Sequence, residues 1–369
     1  MNADFTLDGE QVVSGNTYYI MNLATKKYIK PSAHYGVQAI LGSAGHPVTI
    51  VADGDNYILK SRLGNFTTDT NPYMDNGNKF YYTLELVPGT EYQYYIKCSG
   101  GTLTGNGENA LLSISTHTGD DNQKWLLMTD DRIKSEMASA GAAGLDVTPL
   151  IKDADFDVKA YNGTWNNYAY NWTNFESAGW ALASSWDPQV VSDYWSLAYY
   201  QGKAAETTIS QSLTNMPAGS YKLSYQGFYR YKKTGASISG SKVTEQDLAA
   251  KVTFGGTSNN LPRNTMDIGA TSTAASEFMN GNNSDTIKVT TSSVGTLDVA
   301  VYKPETTESS NGTFSSGYSS WVVVDNFKLI YYGAEVSEED IKGVAKAELG
   351  TLTQADIDKS IKLIRDRVG

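Results

Sequence analysis

The stretch at residues 209–230, ISQSLTNMPAGSYKLSYQGFYR, constrains the fold more than any other part of the sequence. Side chains alternate along both of its halves, and Tyr221, Leu223 and Tyr225 occupy every second position after the Met-Pro-Ala-Gly break. A two-residue period is typical of a β-strand with one buried face. Because Pro and Gly favour turns, the stretch predicts two antiparallel strands.

Other parts of the chain carry the same signal. β-rich runs occur at residues 251–254, 286–290, 296–302 and 321–332. Tyr, Gly, Ser, Thr and Asn are abundant, which suits short strands joined by polar turns better than a helical bundle. We therefore predict an all-β protein with a β-sandwich at its centre. Its length of 369 residues favours two or three domains.

The first part of the chain contains a threefold repeat. Three similar blocks begin at Tyr18, Tyr57 and Tyr94, at nearly equal spacing. Each block runs through a short strand and a Gly/Asn turn to a closing apolar strand. Self-similarity at a fixed period indicates a domain that is built from equivalent units.

The third block closes with Gln-Lys-Trp at residues 123–125, which resembles the Gln-x-Trp signature of ricin-type β-trefoil lectins. The resemblance covers residues 12–130 and implies a β-trefoil over residues 1–131, in which the Trp is a core residue and the Gln fixes a turn. The other blocks depart from it, with His-Pro-Val at residues 46–48 and Phe-Tyr-Tyr at residues 80–82. Sugar binding by this domain does not follow from the fold alone.

Composition changes sharply at residues 132–146, RIKSEMASAGAAGLD, where Ala, Gly and Ser replace the strand pattern. We predict a linker there, with one helical turn around residues 135–140. A second domain follows at residues 147–333. The tail at residues 334–369 has two capping-box-like starts and two apolar faces at helical spacing, which predict a short helical hairpin.

Several motifs of the second domain, taken in order, resemble a carbohydrate-binding module. They are DADFD at residues 153–157, Gly-Trp at 179–180, the strand-turn-strand at 209–230, GTLDVAVY at 295–302 and WVVVDNFKLIYYG at 321–333. The order is similar to that of galactose-binding-like jelly-roll domains, which are common in exported proteins of gut Bacteroidetes. The resemblance covers residues 147–333 and departs at residues 231–248, a long Ser/Lys/Gly-rich insertion.

The same resemblance implies a structural calcium ion. In such modules an acidic residue after the first strand and an Asp in the last strand hold the ion together with backbone carbonyls. The matching positions are Asp157 and Asp325, and calcium takes oxygen ligands of this kind. The related pattern usually carries Glu where Asp157 stands, and Asp is shorter by one methylene. The alternative is that Asp325 caps a turn or hydrogen-bonds to the first strand.

The densest aromatic segment lies between Trp165 and Trp195. Its aromatic residues alternate with Asn, and Asn side chains buried among them would lack hydrogen-bond partners. We therefore expect an exposed platform on which pyranose rings stack. The predicted ligand-binding residues are Trp165, Tyr168, Tyr170 and Trp172, with Asn166, Asn167 and Asn171 as polar neighbours. The alternative is an aromatic mini-core beneath a loop, and Trp180 is assigned to the core.

Charge and motifs argue against several function classes. The net charge of -11, without a cluster of Lys or Arg, argues against nucleic acid. No apolar run is long enough to cross a membrane, so the protein is either cytoplasmic or exported with a leader that is not part of this sequence. The polar start, the Tyr/Trp/Asn-rich composition and the lack of further cysteines favour the exported bacterial protein. The single cysteine, Cys98, excludes a disulfide framework. No nucleophile elbow, metalloprotease motif or phosphate-binding loop occurs.

We therefore predict a non-catalytic protein, secreted or on the cell surface, that binds a polysaccharide or a glycoprotein glycan. The binding residues are expected in the aromatic loops of the sandwich, with the trefoil as a further candidate. The alternative is a protein–protein interaction or adhesion module without sugar affinity, because Tyr, Ser, Gly and Asn are also enriched in protein-binding surfaces. A third possibility is the accessory region of a larger glycoside hydrolase.

Overall fold

The computed structural model describes residues 7–33, 37–139, 144–157, 160–161, 165–166, 171–186, 194–201, 205–231, 238–239, 242–243, 249–263, 271–305, 320–333 and 361. Within these residues the protein is mostly β and consists of antiparallel sheets with short helices. This confirms the predicted all-β class. In the same part of the chain, no helix has the length and apolar character needed to span a membrane.

The N-terminal domain is a β-trefoil built on a closed ring of strands. Its strands are β1 (Thr17–Asn22), β2 (Tyr28–Ala33), β3 (Gln38–Gly42), β4 (Val48–Asp53), β5 (Asn56–Lys60), β6 (Thr83–Leu86), β7 (Gln93–Cys98), β8 (Gly101–Thr104), β9 (Ser113–Ser115) and β10 (Lys124–Met128). β1 pairs with β4 and β10, β4 pairs with β5, and β7 pairs with β6 and β10. Between β5 and β6, Tyr57 and Tyr82 exchange backbone hydrogen bonds of 2.8 and 2.9 Å, which close the ring.

Hairpins extend from the ring, one from each block of the sequence. β2 pairs with β3, and β8 pairs with β9. The middle block has the bridge between Asn65 and Asn76 in the same place. Each block thus supplies ring strands and one hairpin, and the predicted threefold repeat is confirmed.

The closing residues of the blocks have the expected structural roles. Trp125 is fully buried, and its Nε1 donates to the Leu103 carbonyl at 2.9 Å. Gln123 Oε1 accepts a hydrogen bond of 2.7 Å from the backbone N–H of Thr118, which fixes the turn before β10. Tyr82 takes the Trp position in the middle block and is also fully buried.

The second domain is a sandwich of two antiparallel sheets. Its strands are β11 (Leu145–Asp146), β12 (Ala160–Tyr161), β13 (Trp165–Asn166), β14 (Ala181–Trp186), β15 (Tyr194–Gln201), β16 (Thr207–Met216), β17 (Gly219–Tyr231), β18 (Ile238–Ser239), β19 (Lys242–Val243), β20 (Lys251–Phe254), β21 (Thr257–Asn260), β22 (Ser284–Thr291), β23 (Gly295–Lys303) and β24 (Ser320–Tyr331). One sheet has the order β14-β15-β24-β17-β22 with β11 beside β24, and the other has the order β16-β23-β20-β21. β12–β13 and β18–β19 form separate short pairs.

The turn between β16 and β17 connects the two sheets. Both strands form where the alternation predicts them, and Ile209, Tyr221 and Leu223 meet in one apolar core. They do not form the antiparallel pair that the sequence predicts, because β16 pairs with β23 whereas β17 pairs with β22 and β24. Gly219, at φ +147°, lets the chain pass close to Tyr331, since a Cβ there would lie 2.5 Å from the Tyr331 ring.

The segment between the two domains contains a helix and a strand. Helix α1 (Asp130–Ser139) covers 10 residues, where the sequence predicts a single turn. Ile133 and Met137, four residues apart on one helix face, are buried. β11 lies within the predicted linker and pairs with β24.

One wall of the trefoil packs on the sandwich. In β1, Tyr18 and Ile20 belong to the core of the trefoil, whereas Tyr19 and Met21 belong to the apolar cluster that also contains Phe156 of the sandwich. The two-residue alternation of β1 therefore buries both of its faces. An apolar contact of this kind joins the domains over and above their covalent connection.

Helix α2 (Thr271–Met279) covers the outer face of the larger sheet. Phe228 packs with its ring centroid 6.0 Å from Phe278 of this helix and 5.0 Å from Trp321. The predicted helical hairpin at residues 334–369 lies outside the described residues except for Ile361, which is helical and buried.

Candidate functional site

The segment at residues 151–157, which we call the acidic segment, lies between the trefoil and the sandwich. Ala154 and Phe156 are fully buried in the apolar core. Asp153 Oδ1 accepts a hydrogen bond of 3.0 Å from Arg62 Nη2 of the trefoil. Because Asp and apolar residues alternate along DADFD, one side of the segment carries charge and the other side anchors it.

Lys30 of β2 contacts the remaining acids of this segment. Its Nζ donates to Asp157 Oδ2 at 2.6 Å and also to Asp155 Oδ2. Burial lowers the pKa of Lys30, but the carboxylates of Asp155 and Asp157 outweigh this effect and raise the pKa above its usual value, so Lys30 is charged. Gly42 of β3 leaves room for the Lys30 stem, because a Cβ there would lie 2.7 Å from Lys30 Cδ.

Asp325 lies at a β-bulge of β24, beside the same carboxylates. Asn326 has a φ of +52°, and the pairing of β24 with β17 shifts register at this point. The bulge leaves the backbone N–H of Phe327 free to donate to the Ala154 carbonyl at 2.9 Å. Burial, and next the carboxylate of Asp157, hold the pKa of Asp325 well above its usual range. Asp157 and Asp325 therefore lie close enough for their charges to interact.

The carboxylate oxygens of this cluster are not arranged like the ligands of a calcium site. Lys30 Nζ already binds the Oδ2 atoms of Asp155 and Asp157, and calcium needs several oxygen ligands around a position that is free of other cations. Across the described ranges, no group of three or more His, Cys, Asp or Glu side chains is arranged to hold a metal ion. With Lys30 in place, the residues do not fit calcium.

Trp172 is a core residue. It is 2% exposed, and its ring centroid lies 5.4 Å from that of Phe156 and 5.3 Å from that of Phe327. The prediction of an exposed ring here is wrong, because the neighbouring Asn does not enter the core with it. Asn171 is exposed, and its Nδ2 donates to Asp153 Oδ2 at 2.8 Å.

The structure does not describe the side chains of most of the other predicted platform residues. Trp165 and Asn166 form β13, and their side chains lie outside the described part of the structure. Asn167, Tyr168 and Tyr170 lie outside the described residues. Their role in binding stays a prediction.

Trp180 lies in the core, whereas Asn171 lies at the surface. Trp180 is buried, as predicted, and its Nε1 donates to Thr207 Oγ1 at 3.1 Å. Asn171 lines a depression of about 270 Å³ together with Lys152 and Gln211. It is the one predicted polar neighbour whose side chain is described, and it lies at a surface that a ligand can reach.

A larger depression, of about 550 Å³, lies on the trefoil where β5, β6 and β7 meet. It is lined by Asn56, Thr68, Lys79, Phe80, Tyr81, Thr83, Lys97, Cys98 and Ser99. Tyr81 is 47% exposed, and its hydroxyl donates to Asp53 Oδ2 at 3.4 Å. Lys79 Nζ donates to the same oxygen at 2.9 Å, which holds the pKa of the Asp53 carboxyl below its usual value. Phe80 is half-buried beside them.

The sequence repeat contains a signal for Tyr81 that the Gln-x-Trp motif does not. Phe-Tyr-Tyr at residues 80–82 aligns with Gln-Lys-Trp at residues 123–125. Tyr82 then takes the position of the buried Trp125, and Tyr81 takes the outward-facing position of Lys124. Lys30 and its partner Asp157 give no such signal, because their side chains are 127 residues apart in sequence.

No protein-family model matches the chain, and no curated protein matches it. Solved structures match parts of it. The Macrolepiota procera ricin B-like lectin in complex with lactose has 19% identity and a TM-score of 0.29, and the match covers 32% of this chain and 99% of that chain. TmCBM61 in complex with beta-1,4-galactotriose has 12% identity and a TM-score of 0.20, with 45% of this chain and 99% of that chain covered. A proteinase inhibitor from Coprinopsis cinerea has 8% identity and a TM-score of 0.28, with coverage of 32% and 99%.

Proposed function

We propose that the chain is a non-catalytic carbohydrate-binding protein. The observation that carries the proposal is the depression on the trefoil, where the exposed ring of Tyr81 lies beside Asp53 and Lys79. Aromatic rings offer an apolar face on which the C–H face of a pyranose stacks, and a few convergent polar groups bind its hydroxyls. Tyr81 supplies the face, and Asn56 and Lys79 supply polar groups.

The charges at this depression are suited to a neutral, hydroxyl-rich ligand. The Lys79–Asp53 ion pair balances its own charge, so it offers both a donor and an acceptor without favouring an ionic ligand. Both partners are exposed, and exposed ion pairs contribute little to folding stability. Their hydrogen-bonding capacity is thus available to a ligand.

The aromatic loops of the sandwich form a second proposed contact. Trp165, Tyr168 and Tyr170 are its predicted rings, with Asn166, Asn167 and Asn171 as polar neighbours, and Trp172 is left out because it belongs to the core. Two weak contacts on one chain bind a long polysaccharide more tightly than either alone, because the second contact is made at high effective concentration. We infer secretion or display on the cell surface from this role.

Affinity electrophoresis in gels that contain soluble polysaccharides tests the proposal. We expect at least one polysaccharide to retard the full chain. Tyr81→Ala should weaken this retardation several-fold, because ring stacking contributes on the order of 1 kcal/mol, and Trp165→Ala tests the sandwich contact in the same way. Tyr332→Ala removes an exposed Tyr from the sandwich and is the matched control. Retardation that is unchanged in both variants would overturn the assignment of the binding residues.

A protein-interaction or adhesion module is the second candidate. It is favoured by Met279, which is 62% exposed and lines a depression of about 480 Å³ with Phe278 and Gln226. Met side chains adapt to differently shaped partners and are common at protein-binding surfaces. A chain that no polysaccharide gel retards would favour this candidate.

A further inference from the structure

The trefoil supplies the cations for every Asp of the DADFD motif. Asp153 binds Arg62, and Asp155 and Asp157 share Lys30. The motif belongs to the sandwich, and both cations belong to the other domain. Because these contacts are between domains, the trefoil contributes counter-charge to the acids of the sandwich.

Lys30 reaches this position as a buried side chain. It is 8% exposed, and its stem passes over Gly42 to place Nζ within 2.6 Å of Asp157 Oδ2. The bulge of β24 contacts the acidic segment through the hydrogen bond from the Phe327 N–H to the Ala154 carbonyl, and the buried Asp325 lies at this bulge. Acidic groups from two elements of the sandwich thus converge where the ammonium of a trefoil residue lies.

We propose that Lys30 is the resident cation of this site, in the place where a sandwich of this kind would hold a calcium ion. Lys30 of the trefoil, and not a metal, neutralises the carboxylates of Asp155 and Asp157. Breaking a buried ion pair by removing one partner is strongly destabilising, because the other charge stays buried without compensation. The trefoil therefore contributes to the stability of the sandwich, which goes beyond a role in binding sugar.

Thermal unfolding of the full chain and two Lys30 variants tests this proposal. Lys30→Ala removes the charge and leaves space, so its melting temperature should fall and should be partly restored by millimolar calcium chloride. Lys30→Met removes the charge but fills the space, so it should be destabilised without this restoration. The wild-type melting temperature should not respond to calcium or to EGTA. Magnesium chloride controls for ionic strength, and Lys60→Met, on the exposed surface of β5, controls for the loss of one positive charge.

Calcium titration of the wild-type chain by calorimetry tests the proposal without a Lys30 variant. We expect no heat of binding at the acidic cluster. Stoichiometric calcium binding that is lost in Asp157→Asn would overturn the proposal, and so would a Lys30→Ala chain that is as stable as the wild type. A Lys30→Ala chain that is destabilised but does not respond to calcium would also contradict it, since the cluster would then not be a cation site.

Discussion

Lys30 Nζ lies 2.6 Å from Asp157 Oδ2, although the two residues are 127 positions apart and belong to different domains. Arg62 and Asp153 repeat the arrangement at 3.0 Å on the same acidic segment. Tyr19 and Met21 of the trefoil add an apolar contact to the same cluster as Phe156. The two domains are therefore joined by charge and by packing.

A double-mutant cycle of Arg62→Met and Asp153→Asn should measure the strength of the ion pair between the domains. Both side chains are partly or largely buried, so we expect a coupling free energy of about 1.5–3 kcal/mol, in the range of hydrogen bonds to charged groups. Urea unfolding of the four chains gives the value. The exposed Lys79–Asp53 pair is the control and should show little coupling. Equal coupling free energies in the two pairs would contradict the conclusion that the ion pair between the domains stabilises the chain more than an exposed ion pair does.

Trp172→Ala should destabilise the chain by about 3 kcal/mol or more, as expected for truncation of a buried aromatic residue. The ring packs on Phe156 and Phe327, and the truncation removes these contacts. Tyr81→Ala, at an exposed ring, should leave the melting temperature nearly unchanged. Differential scanning calorimetry compares them. A Trp172→Ala chain with wild-type stability would show that the ring is not a core residue.

His46 should make folding stability depend on pH in the acidic range. Burial, and next the charges of Arg62 and Lys30, lower the pKa of His46 from 6.5 to about 3. Below pH 6.5 the unfolded chain therefore binds a proton that the folded chain does not, so stability is complete above this pH and decreases as the pH falls toward about 3. At about pH 4.5 the loss from this group alone is on the order of 3 kcal/mol.

His46→Gln is the variant that checks this prediction, because it keeps a polar side chain but cannot be protonated. The free energy of unfolding in urea should decrease less between about pH 7 and about pH 4.5 in the variant than in the wild type. The two chains share all their carboxylates, so the difference between the two slopes isolates the His. Parallel slopes would mean that His46 does not titrate differently in the folded and unfolded chains.

Local patterns predict the strands of this protein well because they depend on near neighbours. The alternation at Tyr221 and Leu223 identifies the buried face of β17, and the spacing of Tyr18, Tyr57 and Tyr94 identifies the blocks of the trefoil. The alternation does not specify which strand will pair with β17. The chain crosses between sheets after β16, and only the packing of the whole sandwich determines that choice.

The candidate site was harder to predict for a related reason. Alternation of aromatics with Asn suggested exposed rings, but one face of such a segment can be buried while the Asn face stays in water, as Trp172 and Asn171 show. Of the acids of DADFD, only Asp157 is predicted from the sequence as a ligand for a cation, together with Asp325. Lys30, the partner of Asp157, could not be found, because no local pattern connects residues of different domains.

A glycan array probed with the full chain, with product analysis of the bound sugars, tests the proposed function most directly. We expect binding to at least one glycan, weakened in Tyr81→Ala, with the bound glycan recovered intact because the protein is proposed to be non-catalytic. Absence of binding to every glycan on the array would contradict the carbohydrate-binding function. Release of shorter sugars from a bound glycan would contradict its non-catalytic character.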